Sequence, residues 1–332
     1  MSNVAVLGGA GFVGSHLCEK LVLAGDNVTL IDNYERGQNE VEGVYPLAGD
    51  VTTALELSLA LRGHDTVYNL AASVGGIYHN IDNQNPQLYQ NFILQTTPLM
   101  AAEMVGVQRF LQVSSVCIYD PEYQESYENG VPEEIGLKGI PQEANAGYAW
   151  AKRMGEIATL QSKIPHVVIV RPSNIGGPRD YFDEKAHVIP ALVRRAFQTR
   201  SGPGTTGSES LEVYGNPDYI REFIHVEDVA VGMVAAMELG VSGRTYNLGS
   251  GQLITIRDLA IKIARGVWAT RTNSEHLMDG WIGEIDFVGA EGGDPYRKSN
   301  STRANDELGW KAEHDIDKIV EDTIQWYRQS QL

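Results

Sequence analysis

Cysteine is almost missing from this chain. Cys18 and Cys117 are the two among 332 residues, too few for a disulfide framework, and no CxxC pair offers a zinc site, so no metal is expected. Long apolar runs are missing as well. No stretch approaches the roughly 20 residues that span a bilayer, which excludes a helical membrane protein. The first apolar run has no basic region before it, which argues against a secretory leader and for a reduced, cytoplasmic setting. Positive charge is scarce: Lys+Arg 26 against Asp+Glu 43 leaves a net charge of −17. That balance disfavours nucleic acid and anionic membranes as partners. A phosphorylated small ligand stays open, since it needs only a local group of arginines and backbone N–H donors. Internal repeats and low-complexity tracts are also lacking.

Against these absences stands a regular alternation. Runs rich in β-branched residues at 4–7, 28–31, 66–70, 110–113 and 167–170 read as strands, and 12–24, 52–61, 86–105 and 148–161 have helix-like spacing or composition. Such alternation predicts βαβ units and an α/β fold with a parallel sheet covered on both faces. Gly/Pro-containing segments at 171–178 and 201–208 then change the rhythm. Beyond them the pattern predicts a strand at 211–214, a helix over 226–238, a strand at 245–248 and helices near 255–267 and 316–329. A second, smaller lobe interleaved with the first is expected: residues 1–172 with 223–248 returning to them, and 173–222 with 249–332 apart.

The first strand runs into Gly8-Gly9-Ala10-Gly11-Phe12-Val13-Gly14 and then into a helix. Glycines there permit a tight turn, backbone approach to a pyrophosphate and close helix packing, with the helix N-terminus facing the phosphates. Two registers fit, one opening on Gly8 and one on Gly9. Asp32 closes the second strand at about the ~20-residue separation expected of an acid that holds a ribose hydroxyl. Its charge would repel a 2′-phosphate, so NAD is expected over NADP; Arg36 argues the other way. Asp50 and Val51, after the third strand, are placed to reach the adenine, although Asp50 suits a helix-opening turn equally well.

Oxidising an alcohol with a nicotinamide requires a group that takes the hydroxyl proton. Tyr148 and Lys152, four residues apart, share a helix face. The ammonium and the cationic nicotinamide are expected to lower the phenol from its usual ~10. Ser115, at a strand end, is expected to bond the same oxygen.

These motifs, with Asn69-Leu70-Ala71-Ala72, Arg171 through Pro178, Arg221 through Asp228 and Tyr246 through Gly249, resemble the extended short-chain dehydrogenase/reductase family of nucleotide-sugar enzymes over nearly the whole chain. The resemblance implies a Rossmann doubly wound sheet carrying the dinucleotide, with Asn33, Ala71 and Ala72 among its contacts, and a smaller interleaved lobe gripping a nucleoside diphosphate sugar. It also implies a homodimer packed through the 86–105 and 148–161 helices.

Three segments narrow it. The loop Ala72-Ser73-Val74-Gly75-Gly76-Ile77 is similar to that of GDP-fucose synthases and GDP-mannose 3,5-epimerases. Ser114 through Tyr119 resembles the epimerase segment that carries a catalytic cysteine, here Cys117. The run from His187 and Val188 to Arg195 resembles the synthase, whose acid/base histidine falls on His187, while Lys185 is the competing candidate. A 4-keto group acidifies its neighbouring protons, so one acid and one base on opposite ring faces suffice to invert C3 or C5. A thiol near ~8.5 and an imidazole near ~6.5 suit that exchange. Gly75, Gly76, Asn174, Val188, Arg195, Arg221 and Arg297 are expected to touch sugar or diphosphate, and Tyr214 to stack on a GDP-type nucleobase.

Simpler readings compete with these. Free cysteine is commonly a small core residue, which is the expectation for Cys18 and an alternative for Cys117; His187 could merely cap a helix, and His225 is expected to serve structure. The favoured reading is an NAD-dependent GDP-mannose-like 3,5-epimerase. A GDP-4-keto-6-deoxy-sugar 3,5-epimerase/4-reductase is the rival; a C4 epimerase leaves Cys117 idle, and a cofactor-sensing regulator leaves Ser115, Tyr148 and Lys152 idle. The Gly176-Gly177 pair, where an aromatic-Gly is more usual, is a departure within the shared motif.

Overall fold

Alternate residues of the first strand serve opposite cores. In β1 (Asn3–Leu7), Val4 and Val6 join one apolar cluster and Ala5 and Leu7 another, as the two-residue period of a strand buried on both faces requires. The computed structural model describes residues 1–199, 210–272, 284–289 and 293–331. In chain order its strands are β1, β2 (Asn27–Asp32), β3 (Tyr45–Ala48), β4 (Thr66–Asn69), β5 (Arg109–Val113), β6 (His166–Pro172), β7 (Asn174–Gly176), β8 (Ser210–Tyr214), β9 (Ile220–His225), β10 (Arg244–Leu248), β11 (Leu253–Thr255), β12 (Glu284–Val288) and β13 (Tyr296–Arg297). Its helices are α1 (Phe12–Leu23), α2 (Ala54–Ala60), α3 (Ile77–Asp82), α4 (Gln84–Val105), α5 (Pro121–Gln124), α6 (Ala146–Leu160), α7 (Val188–Gln198), α8 (Val226–Leu239), α9 (Ile256–Thr272), α10 (Thr302–Leu308) and α11 (Ile316–Ser330).

The large sheet runs β10-β6-β5-β4-β1-β2-β3, and all its pairs are parallel. This is the Rossmann doubly wound arrangement. Helices α1, α8 and α10 cover one face and α2 and α4 the other, with α6 packed on α4. A small sheet joins β11, β9 and β13, with β7 beside β9, and β8 pairs with β12. Helices α7, α9 and α11 enclose the apolar cluster next to these strands. The Gly/Pro-containing segment at 201–208 lies outside the described residues.

Two features were not foreseen. The connection from 116 to 145 folds into short turns of helix at Val116–Ile118, α5, Glu133–Ile135 and Glu143–Asn145, with four buried residues, Val116, Tyr119, Val131 and Ile135, as a small core of its own. The Gly176-Gly177 pair has a packing reason: a Cβ at Gly176 would stand 2.6 Å from Ile319 Cγ2 and 2.9 Å from Ile189 Cδ1. Helices α11 and α7 fill the room a larger residue would need.

Behind that connection the Arg171 guanidinium meets Glu156 through two bonds, Nε to Oε1 at 2.8 Å and Nη2 to Oε2 at 2.6 Å. Both side chains are nearly inaccessible, at 3% and 1% exposed. Removing one partner strands the other charge in the interior, so Glu156→Ala should lower unfolding free energy by about 3–5 kcal/mol. Urea denaturation measures this; a loss below about 1 kcal/mol would mean that the pair carries no such weight.

Candidate active site

The C-terminal ends of β1, β2, β4, β5 and β6 open onto one cleft of about 1290 Å³, the position where doubly wound sheets bind ligands. All the residues expected at the site, from the glycine turn to Arg297, line this cleft.

At the glycine turn the register opening on Gly8 is the one adopted. Gly8 has φ +77°, and a Cβ on Gly14 would lie 2.2 Å from Gly8 O. Gly9 instead gives room to β2, whose Leu30 Cγ would be 2.6 Å from its Cβ. Gly11 N-caps α1 without a side-chain bond, leaving the helix N-terminus facing the cleft. Asp32 is buried, its carboxylate accepting Ala10 N and Tyr34 N, each at 3.0 Å; burial raises its pKa against these bonds. Asn33 Oδ1 accepts Glu35 N, and Asp50 Oδ1 accepts Thr52 N at 2.8 Å ahead of α2. Asp50 therefore fills the turn role and lines the cleft at once. The turn, its open N-terminus and Asp32 fit a dinucleotide.

Arg36 does not point its charge at a 2′-phosphate seat beside Asp32. Its Nη1 donates to Val74 O at 2.8 Å, its Nη2 meets Asp183 at 3.2 Å, and its guanidinium lies 4.3 Å over the Tyr181 ring.

Ser115, Cys117, Tyr148 and Lys152 come together as expected. Ser115 Oγ accepts Cys117 N at 3.2 Å, which shapes the short helical turn. Burial pushes the Tyr148 phenol up and the Cys117 charge adds to this, while a hydrogen bond with Ser115 opposes it. The expected lowering by Lys152 is not among these influences. The ammonium is turned to Val113 O at 2.6 Å and Gln95 Oε1 at 3.2 Å, and stands 5.5 Å from the Tyr148 ring centre. Burial brings Lys152 itself down to about 7, against an opposing pull from Glu156.

Cys117 is half-buried, unlike Cys18, which is core, with its thiol pushed by burial to about 12. Arg297 Nη1 reaches Cys117 Sγ at 3.3 Å, while its Nη2 is held by Asp294 at 2.7 Å and Gln142 at 2.5 Å. Arg297, expected on sugar or diphosphate, lines the cleft and contacts the thiol as well. Burial works against its charge, but Cys117 and Asp294 outweigh that and raise its pKa. Sequence spacing gave no sign of this contact, which joins residues 180 positions apart.

His187 opens α7 without capping it. Its Nδ1 instead lies 3.3 Å from Asp180 Oδ2, with the imidazole 39% exposed toward the cleft. Burial pulls its pKa down, Asp180 outweighs it by charge and hydrogen bond, and the net shift is upward. Lys185 is exposed on the same loop, and its carbonyl accepts Gly76 N at 2.9 Å. His225 is structural, accepting Glu227 N and meeting Asp322.

Asn174 Nδ2 donates to Glu222 O at 2.7 Å. Arg221, lowered by burial and then by Arg297 to about 10, lines the cleft with Gly75, Val188, Arg195 and Tyr214. Arg195 stacks 4.3 Å over Tyr214, so these two form a platform.

Lys152 generates a pH test. Between about 7 and its ordinary 10.5, the unfolded chain holds the lysine proton and the folded chain has released it. The unfolded state then binds more protons, so stability rises with pH in this window. Lys152→Met should remove that contribution, at most about 1.4 kcal/mol per pH unit, in urea titrations across the window; an unchanged slope would show that Lys152 keeps its proton.

Known proteins are similar to this chain over nearly its whole length. The probable GDP-L-fucose synthase 1 of Oryza sativa subsp. japonica is 28% identical, covering 98% of this chain and 92% of that protein. The UDP-N-acetyl-alpha-D-glucosaminuronate decarboxylase of Bacillus cytotoxicus is 28% identical, covering 98% and 97%. The structure of UDP-glucose 4-epimerase with UDP-glucose from Thermotoga maritima superposes with a TM-score of 0.82 at 22% identity, covering 99% and 100%. The model of the NAD dependent epimerase/dehydratase family matches residues 4–249. The cleft thus belongs to an NAD-using enzyme of nucleotide-sugar chemistry, and the chain is a member of the NAD-dependent epimerase/dehydratase family.

Proposed function

We propose that this protein is an NAD-dependent 3,5-epimerase of a GDP-mannose-like sugar that works through a transient 4-keto intermediate. The observation that carries the reading is the Cys117 sulfur, which accepts a hydrogen bond from Arg297 Nη1 at 3.3 Å in the same cleft as Ser115 and Tyr148. Bound NAD supplies the acceptor for the C4 hydride and the means of its return. Tyr148, hydrogen-bonded with Ser115, takes the C4 hydroxyl proton as the phenolate, a form that the cationic nicotinamide of bound NAD would favour, and gives it back. Lys152 holds the end of β5 through Val113 O and fixes the helix that presents Tyr148. Once C4 is a ketone, the protons at C3 and C5 become acidic. Cys117 exchanges a proton at one ring face, and a thiolate formed there lies against the Arg297 guanidinium. His187, oriented by Asp180, serves the other face, with Lys185 as the alternative on the same loop.

The second reading, a GDP-4-keto-6-deoxy-sugar 3,5-epimerase/4-reductase, is favoured by the likeness to the rice GDP-L-fucose synthase. It would use the same proton-transfer residues but consume reduced cofactor. The buried Asp32 carboxylate at the end of β2, adverse to a 2′-phosphate, supports the first reading.

Incubation with GDP-mannose in D₂O, without added cofactor, should place deuterium at C3 and C5. Cys117→Ser should cut that exchange by about 100-fold or more and leave C4 oxidation measurable. Stoichiometric NADPH consumption with a 4-keto sugar, and no exchange into any GDP-hexose, would establish the second reading instead.

The reading includes a homodimer. Helix α4 exposes Tyr89, Phe92, Ile93, Met100 and Met104, and α6 exposes Trp150, Met154 and Ile157. These helices pack on each other, so their apolar faces form one surface suited to a second copy. Met100→Glu with Met154→Glu should halve the mass in sedimentation equilibrium; a monomeric wild type would refute the dimer.

A further inference from the structure

Residues 178–187 lie across the N-terminal end of α1 and are fastened at both ends. At the first end Pro178 O meets His16 Nε2 at 3.1 Å, and Arg179 pairs with Glu19 of α1 at 2.5 Å. Arg179 has φ 69°, a left-handed conformation that a residue with a side chain keeps only where its surroundings enforce it. At the other end Lys185 O accepts Gly76 N at 2.9 Å, and a Cβ on Gly76 would stand 2.7 Å from Ala186 O.

Tyr181 stands between these fastenings. Its phenol oxygen is hydrogen-bonded to the Phe12 backbone and lies 3.7 Å from where a Cβ on Gly11 would be. The Arg36 guanidinium covers its ring at 4.3 Å and is anchored to Val74 O and Asp183. The first N–H groups of a helix after such a glycine turn receive a dinucleotide's phosphates. Tyr181 is therefore at the phosphate seat. A hydroxyl both donates and accepts, so it can turn from the Phe12 N–H to a phosphate oxygen while its ring stays beneath the guanidinium. The guanidinium in turn adds positive charge beside a diphosphate.

We propose that Tyr181 and Arg36 form a clasp over the diphosphate of bound NAD, and that the cofactor leaves only when residues 178–187 lift from α1. The clasp rests on the family's cofactor and not on the choice of sugar. The same loop carries His187 and Lys185, so cofactor retention and proton transfer share one moving part.

Tyr181→Phe removes the hydroxyl and keeps the ring; Arg36→Met removes the cation and its anchors. NAD-loaded protein is mixed with excess NADH, and NAD release is followed by the fluorescence of NADH as it binds. Each variant should release NAD about tenfold faster than wild type. Equal release rates in wild type and both variants overturn the clasp. Slower release from Tyr181→Phe also overturns it, because that is the result if the hydroxyl only competes with phosphate for Phe12. Should Arg36→Met not fold, Asp183→Asn, which frees one anchor of the guanidinium, must also speed release, and an unchanged rate there overturns the clasp. A wild type that takes up no NAD would overturn the cofactor assignment itself, a failure seen before any variant is compared.

Discussion

Arg171 and Glu156 meet in the interior at the point where β6, α6 and the segment behind Cys117 come together. Taking both charges out of water costs several kcal/mol per ion, and only near-complete pairing offsets it. The geometry meets that demand: beyond its two bonds to Glu156, the guanidinium donates to Tyr119 Oη at 2.9 Å and Glu133 O at 2.8 Å. Tyr119 Oη passes the connection to Asn247 of β10 at 2.6 Å. Arg153, on the same buried face of α6, adds bonds to Ile118 O, Lys138 O and Gly139 O. The helix bearing Tyr148 and the turn bearing Cys117 are thereby held in one register.

That joint also settles the charge of its neighbour. Glu156 follows Lys152 by one helical turn and would be its natural i,i+4 partner, but both of its oxygens are taken by Arg171. Lys152 is left with the Val113 carbonyl and the Gln95 amide oxygen. Dipoles of that kind compensate a buried ammonium less well than a carboxylate does, so desolvation dominates. One helix face thus carries a fixed ion pair and, a turn earlier, a lysine free to titrate.

Much of this was legible in the sequence because it is periodic or local. The five strands read from β-branched runs all form, and the glycine turn, Ser115, Tyr148 and Lys152 follow from spacing along single elements. Contacts across long stretches of chain were not legible. Nothing in the composition of 116–145 announces short helical turns around a small core, because each is too brief to show a period. The contact of Arg297 with Cys117 exists only once the fold lays β13 beside that residue. Asp180 and His187, seven residues apart in a loop, match no helix or strand rule, and the Tyr181 contact with α1 depends wholly on tertiary structure.

Strand β10 comes late in the chain, after β7, β8 and β9 have formed parts of the smaller sheets, yet it lies against β6 at the end of the large sheet. A fragment cut after Pro172 would hold the glycine turn, Tyr148 and Lys152, but its β6 would present an open row of backbone donors and acceptors along a strand whose residues are mostly buried. Such an edge invites pairing with other chains. The cofactor-binding half is therefore no detachable module; it acquires a finished border only once the polypeptide has passed through the other half and come back.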